Sequence, residues 1–466
     1  MTEIALRAPT AHTTSRQWEQ RLTPLASVDV DPQTSRVFEN GWSSFSPSGV
    51  YPVTATSPRA RSQLWQMTSY RPGRRGPATG FQGEGLLALE SGGGETHVFY
   101  APDPRADCPS IRLELNGKVA TMSADGIVEH EVDAGPGGMG AALARWSDRM
   151  AATLGVTLPA EYPTVWCPWY QYFTRLTEAD MYENIDAIDR HDLRVDVIGV
   201  DDAFQREIGD WLELSNRFSS LPKLVERIHA SQRRAGVWIA PLWVGARSTL
   251  FSKHPDWLVT DNDGHPLWAG NNWNQDLYAL DVTHPGAMAY VRDVFQRWRE
   301  HGFDYFKIDF MFAGALDGHR HEVITALDHY ALAMHAIRDA VGGDATVLGC
   351  GAPLLPSIGT VDGMRISCDT DARYAPESGD VSQPSQAGAM LSGQGRAFMH
   401  GRFWHNDPDC IIVRPEVERR NEWATHVEMY SGVRAASDRV NGLDDWGLQM
   451  TRRLLQRSTL TPLVGG

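Results

Sequence analysis

From about residue 160 onward, short apolar runs alternate with amphipathic stretches of helical period, and this rhythm restricts the fold more than any other feature. The strand candidates are residues 164–170, 195–200, 236–242, 303–309, 345–350, 363–368, 396–403 and, with the weakest pattern, 426–432. Between them Leu221, Leu224, Val225 and Ile228 recur at i, i+3, i+4 and i+7, as do Val291, Val294, Phe295 and Trp298. Thr177 and Asp180 form a capping-box pattern that predicts a helix over 178–191. Eight strands with helices between them, in about 300 residues, is the count of a (β/α)8 TIM barrel. An open doubly wound sheet shows the same alternation, but no glycine-rich phosphate fingerprint follows the first strand here.

The first 150 or so residues read differently. Ile111, Leu113 and Leu115 alternate with Arg112 and Glu114, and Asn116-Gly117 then supplies a tight turn, a hairpin signal. Residues 96–101 and 126–132 are further strand candidates. The expected organisation of the 466 residues is therefore an N-terminal antiparallel β-sandwich over 1–155, followed by the barrel over 156–460.

Composition narrows the function classes. A net charge of −15 argues against a nucleic-acid or membrane partner. No stretch reaches the roughly 20 apolar residues of a membrane helix, and the opening MTEIALRAPTAHTTSRQW lacks the apolar centre of a secretory signal. Five scattered cysteines without CxxC spacing fit reduced thiols in a cytoplasm. Sixteen tryptophans admit a carbohydrate site, because an indole face stacks on a sugar ring, but a core absorbs tryptophans equally well.

Active sites of such barrels lie at the C-terminal ends of the strands. Those ends carry Trp169-Tyr170, Asp201-Asp202, Trp243, Asp309, Cys350, Asp369 and Asn406-Asp407. Several acids on one face are costly to bury unless chemistry or hydrogen bonding uses them. Period-2 alternation puts Lys307 and Asp309 on one face, and a neighbouring ammonium favours an ionised carboxylate suited to nucleophilic attack. Asp369, four residues after Arg365, suits a general acid, with Arg365 either holding a substrate hydroxyl or pairing with Asp369. Two carboxylates in contrasting settings are what glycoside hydrolysis requires. Asp201-Asp202 can accept hydrogen bonds from neighbouring sugar hydroxyls, or can be a helix cap beside a solvated acid. His319-Arg320-His321 raises a metal-dependent barrel hydrolase, but it follows a loop and reads as a pair of exposed histidines. Asp407-Pro408-Asp409 reads as a loop constraint with a cap.

The segments WCPWYQYF (166–173), IGVDDAFQREIGDW (198–211), GVWIAPLWVGARS (236–248), GFDYFKIDFMFAGA (302–315), LGCGAPL (348–354), GTVDGMRISCDT (359–370) and WHNDPDCIIVR (404–414) occur in order. Together they resemble glycoside hydrolase family 36 α-galactosidases (melibiases) of clan D, of the compact prokaryotic type. The resemblance implies a β-sandwich, a (β/α)8 barrel and a small C-terminal β-domain, the last expected to be absent because the chain stops near Thr461–Gly466. It also implies retaining, exo-acting hydrolysis of terminal α-D-galactosyl residues. Asp309 then matches the nucleophile, Asp369 the acid/base, and Asp201 and Asp202 the pair on the galactose O4 and O6 hydroxyls. Lys307, Arg365 and Cys350 match residues near the ring hydroxyls, and Trp169 and Trp238 match aromatic walls. NGWSSFSPSG (40–49) resembles the N-terminal loop that reaches the site, with Trp42 or Phe45 supplying its aromatic ring. WCPWY carries Pro168 where a serine is common. No metal or organic cofactor is expected, and the expected partner is a small galactoside or oligosaccharide. Alternatives of the same mechanism are β-L-arabinopyranosidase, α-N-acetylgalactosaminidase, and α-glucosidase or transglycosylase. A non-catalytic sugar-binding protein would have no need of Asp309 and Asp369 together.

Overall fold

The computed structural model describes residues 18–456. Eight parallel strands form one sheet: Val165–Trp166, Val197–Val200, Arg234–Ile239, Phe303–Ile308, Thr346–Gly349, Gly363–Arg365, His405–Asp407 and Ala435–Ala436. Each pairs with its predecessor in the chain as far as the seventh, and the eighth pairs with the first. Backbone hydrogen bonds also join the region after the seventh strand to the eighth. The amides of Gly432 and Val433 donate to the Asn406 carbonyl at 2.8 and 2.9 Å, and Ile411 bridges Ala436. The sheet is thus consistent with a TIM barrel, its strands largely buried on both faces as in a covered parallel sheet.

Helices cross between most neighbours: Glu178–Arg190, Leu221–Ala230, Pro285–Glu300, Ala326–Val341, Gln386–Gly395 and Arg420–Tyr430, with Asp445–Leu454 after the last strand. Between the fifth and sixth strands only a short 3-10 turn, Leu355–Ser357, stands in the helix position. The capping box at Thr177 opens its helix as expected, Thr177 and Asp180 each accepting the other's backbone N–H. After the third strand an antiparallel sheet is inserted, formed by Trp243–Gly245, Gln275–Ala279 and Trp268–Asn272.

Two strand assignments made from pattern are corrected. Residues 396–403 form a 3-10 turn and loop after the helix Gln386–Gly395, and 426–432 lies mostly in the helix Arg420–Tyr430. The true seventh strand, His405-Asn406-Asp407, is polar throughout, and the eighth, Ala435-Ala436, is two small residues, so neither carries an apolar run.

The N-terminal region consists of antiparallel sheets. Thr23–Asp29, Val119–Ala124, Ser110–Asn116 and Phe81–Glu84 form one, and Gly49–Pro52, Arg36–Glu39, Leu86–Glu90, Thr96–Tyr100 and Glu129–Asp133 the other. The hairpin at Asn116-Gly117 is present. Val28, Phe81, Ile111, Leu113 and Met122 of the first sheet share a core with Val37, Leu87, Leu89 and Phe99 of the second. Among the described residues, no helix is long and apolar enough to cross a membrane. The chain's first residues and the Thr461–Gly466 end, on which the signal and missing-domain expectations rest, lie outside the described residues.

The two regions are joined through a buried guanidinium. Arg396 is fully buried and donates to the carbonyls of Ser43, Ser44 and Ile366 at 3.1, 2.9 and 2.7 Å and to the Ser46 hydroxyl at 2.9 Å. The amide of Ser44 in turn donates to Ala352 at 2.9 Å. An alanine at 396 strips these acceptors of their donor inside a dry interface. R396A should therefore lose roughly 3 kcal/mol or more in urea unfolding, and R396K should recover little of it, since an ammonium cannot span acceptors spread over two segments.

Candidate active site

At the C-terminal ends of the parallel strands lies a cavity of about 440 Å³, a size suited to a small oligosaccharide. Asp201, Asp202, Lys307, Asp309 and Asp369 line it together with Trp169, Trp238, Trp243, Trp273 and Phe310. Phe45 and Trp65 reach its wall from the N-terminal region. The second strand delivers Asp201 and Asp202, the fourth Lys307 and Asp309, and the sixth Arg365 with Asp369 beyond it.

Each acid is held differently. Lys307 Nζ donates to Asp201 Oδ2 at 3.1 Å, and the Cys167 thiol lies 3.6 Å from the same oxygen. Burial, the largest influence, works against the Lys307 charge, but Asp201 together with Cys167 and Cys350 outweighs it and holds the ammonium well above its ordinary pKa. Asp202 accepts from Trp273 Nε1 at 2.7 Å, from the Ala203 amide at 2.7 Å and from the Gln205 side chain. Burial nevertheless raises its carboxyl above the usual range, and Asp201 adds to the effect.

Asp309 accepts from Trp238 Nε1 at 3.0 Å and from the Phe310 amide at 2.7 Å. Burial raises it too, with Lys307 pulling it down and Asp369 pushing it up. Lys307 and Asp309 both reach the cavity, as strand alternation predicts, and the ammonium bonds Asp201 while acting on Asp309 through space. Asp369 accepts from Arg365 Nη1 at 3.0 Å, and its side chain is 32% exposed, against 2% for that of Arg365. Burial again raises the carboxyl, Arg365 opposes, and Asp409 raises it further.

Aromatic rings form a continuous wall. Trp243 stacks on Phe310 with centroids 4.0 Å apart, and Trp273 meets Trp238, Trp243 and Phe310 edge to face at 6.2, 6.0 and 5.9 Å. Trp273 sits at the tip of the inserted hairpin, where it and Asn274 form a two-residue turn at φ 50° and 55°, the conformation of a type I′ turn. Phe310 and Ala203 also occupy positive φ, at 52° and 97°, directly after site carboxylates. Such backbone costs about 1–3 kcal/mol per residue and gathers where function over-determines geometry.

Some expected residues stand away from the cavity wall. Phe45 lines it, and Trp42 packs in the core beneath, because the turn after Trp42 directs Phe45 toward Phe310 at 5.7 Å. Arg365 lies behind Asp369, paired with Asp407 and Asp409 as well, and does not line the cavity. It borders instead a narrow cleft below, with Asp201, Lys307 and Trp238. Cys350 is buried beside Asp309 and Lys307, and burial drives its thiol well above its ordinary pKa. His319 and His321 are exposed on the loop before the helix Ala326–Val341, with His319 across from Asn262.

Sequence reasoning missed Trp273, Trp65 and Phe310, and it read Asp409 as a cap. Asp409 in fact accepts the Tyr170 hydroxyl and the amides of Thr370 and Cys410. The doublet Asn271-Asn272 before Trp273 was the available sign of a tight turn at the cavity.

Residues 185–335 match the family model described as Melibiase. Among solved structures, the α-galactosidase of Thermus thermophilus superposes with a TM-score of 0.77 at 26% identity, over 93% of this chain and 91% of that one, in its complex with p-nitrophenyl α-D-galactopyranoside. Its stachyose complex superposes equally well at 28% identity. Matches to curated proteins are shorter. An A type blood α-D-galactosamine galactosaminidase of Flavonifractor plautii is 33% identical over 25% of this chain and 12% of that protein. An α-xylosidase, XylQ, of Lactiplantibacillus pentosus is 25% identical over 38% and 25% respectively. The chain thus aligns with only a quarter or less of the length of these relatives. All of these likenesses fall on glycoside hydrolases, and the chain is similar in the sequence of its parallel-sheet region, and in its whole described fold, to the α-galactosidases of the melibiase family.

Proposed function

We propose that this chain is a retaining, exo-acting α-galactosidase that releases terminal α-D-galactosyl residues from small oligosaccharides. The observation that carries the reading is the presence of Asp309 and Asp369 in one aromatic-walled cavity in contrasting settings, the first tied to two N–H donors and the second tied to Arg365 and open to the cavity. The Thermus relative, bound to a nitrophenyl galactoside and to stachyose, supports the sugar assignment.

In this reading a carboxylate oxygen of Asp309 attacks the anomeric carbon as the glycosidic C–O bond breaks, and Asp369 gives its proton to the departing oxygen. Water then attacks the same carbon, losing a proton to Asp369 and freeing Asp309. Trp238 Nε1 and the Phe310 amide hold Asp309 in the attacking position without lending it a proton. Asp201 and Asp202 take the O4 and O6 hydroxyls, and Lys307 shares its remaining donors with the ring. The supporting frame is a β-sandwich over 1–155 and a (β/α)8 barrel over 156–460. Five unpaired, buried cysteines among the described residues support a reducing, cytoplasmic setting. The α-D-galactosamine and α-xyloside activities of the curated relatives favour a second reading, the same mechanism on another sugar.

A screen of nitrophenyl α-galactoside, β-L-arabinopyranoside, α-N-acetylgalactosaminide and α-glucoside, with NMR of the first-formed anomer, separates the two. The galactoside should lead and the product should keep the α configuration. No turnover by folded protein, or a fully active D309A, sinks the proposal. D369A should slow sugar leaving groups by about 10²–10⁴-fold and aryl ones far less, and equal losses would remove Asp369 from the acid role.

A third outcome concerns stability. Folding raises the Asp202 carboxyl, so its protonated form is the one the folded state favours. Stability therefore falls as pH climbs from the ordinary carboxylate range through the raised value, and the penalty is complete above it. D202N removes that penalty at pH 7. It should unfold at the same or higher urea concentration while turnover collapses, whereas a clear loss of stability would contradict the assignment.

A further inference from the structure

Behind Asp369 three carboxylates share one guanidinium. Arg365 reaches Asp369 through Nη1 at 3.0 Å, Asp407 through Nε at 3.3 Å and Asp409 through Nη2 at 2.8 Å. The Asp407 and Asp409 side chains are 2% and 0% exposed, so Asp369 alone faces the cavity. The Tyr170 hydroxyl donates to Asp409 and lies 3.5 Å from Arg365 Nη1. Asp409 also accepts the amides of Thr370 and Cys410, each at 2.7 Å. Thr370 directly follows Asp369, so the Asp409 carboxylate grips the turn that presents the acid.

A guanidinium keeps its charge at any working pH, and one cation cannot neutralise three dry carboxylates. Burial raises the Asp409 carboxyl, but Arg365, the tyrosine hydroxyl and the Thr370 amide act the other way, and the Cys410 amide also donates to it. Asp369 has no backbone amide: it has Arg365, which is also committed elsewhere, and a smaller share of the Tyr170 hydroxyl, and it meets Asp409 and Asp309 as like charges, with Lys307 acting against them. The thiols of Cys350, Cys368 and Cys410 face the same cluster, and each is held neutral with a raised pKa, by burial for Cys350 and Cys368 and chiefly by its contact with Cys167 for Cys410.

We propose that Asp409 is a positioning residue that keeps the proton on Asp369 until the glycosidic bond breaks: it occupies the Arg365 guanidinium, opposes a second negative charge, and fixes the Asp369 turn through the Thr370 amide. This rests on the reading of Asp369 as the acid/base.

The test is the pH profile of kcat/KM for the full chain on an α-galactosyl disaccharide and on nitrophenyl α-galactoside. In D409N the basic limb should move to lower pH by about one unit, the acidic limb should stay, and the disaccharide should suffer more than the aryl substrate. D409E keeps the charge and should return the limb toward its original place. A limb unmoved in folded D409N, or displaced equally in D409E, overturns the proposal. Should D409N fail to fold, D407N removes a carboxylate from the same guanidinium and must move the limb in the same direction; an unchanged limb there overturns it equally. Hydrolysis by the wild type together with an unmoved limb rejects this role alone, whereas a folded wild type without hydrolysis rejects the functional reading beneath it.

Discussion

Carboxylates outnumber cations at the strand ends, and the local architecture follows from that imbalance. Asp201, Asp202, Asp309, Asp369, Asp407 and Asp409 crowd around Lys307 and Arg365. Buried charge that a cation does not meet must be met by N–H groups or by protons. The chain uses one device repeatedly. Asp201, Asp202, Asp309 and Asp409 each accept the backbone amide of the next residue, at 2.9, 2.7, 2.7 and 2.7 Å. Ala203, Phe310 and Asp409, each one of these acids or the residue directly after one, occupy positive φ.

The same scarcity of cations separates the two acids proposed for catalysis. Lys307 is committed to Asp201 and reaches Asp309 only through space, so Asp309 depends on Trp238 and the Phe310 amide. Neither donor can hand over a proton during the reaction, which suits a group that attacks as an anion. Asp369 receives a third share of Arg365 and no compensating amide, which suits a group that holds a proton until bond cleavage. Two chemically identical side chains are differentiated by which donors the surrounding strands leave available.

Much of this was legible in the residues. Five of the eight strands fell within the spans that pattern suggested, and the third, Arg234–Ile239, began two residues before its span. The last two failed because His405-Asn406-Asp407 is polar and Ala435-Ala436 has no large apolar side chain, while the neighbouring 396–403 and 426–432 carry enough apolar residues to imitate a strand. Asp201, Asp202, Lys307, Asp309 and Asp369 could be placed because strand ends fix their position. Trp273 and Trp65 could not, since they arrive from an inserted hairpin that docks on Asp202, 71 residues away, and from the helix Gln63–Ser69, tied in beside Asp380, 319 residues from Arg61. Arg365 was half legible: spacing paired it with Asp369, but the competing grip of Asp407 and Asp409 needed the loop after the seventh strand to be folded.

The division between strand-borne and imported residues has a chemical consequence. Groups that handle charge sit on the strands or on the turns that directly follow their C-terminal ends. The ring faces of Phe45 and Trp65 come from the N-terminal region, anchored by Arg396 and by the Arg61 amide donating to Asp380 at 2.9 Å. Asp380 lies on the loop that begins just after Asp369, so the segment before Trp65 is tied to the segment carrying the proposed acid. Substitutions in the N-terminal sheets can therefore alter the cavity wall without touching an ionisable group. The acid cluster behind the proposed acid has less room for variation, because Asp369, Asp407 and Asp409 share one guanidinium.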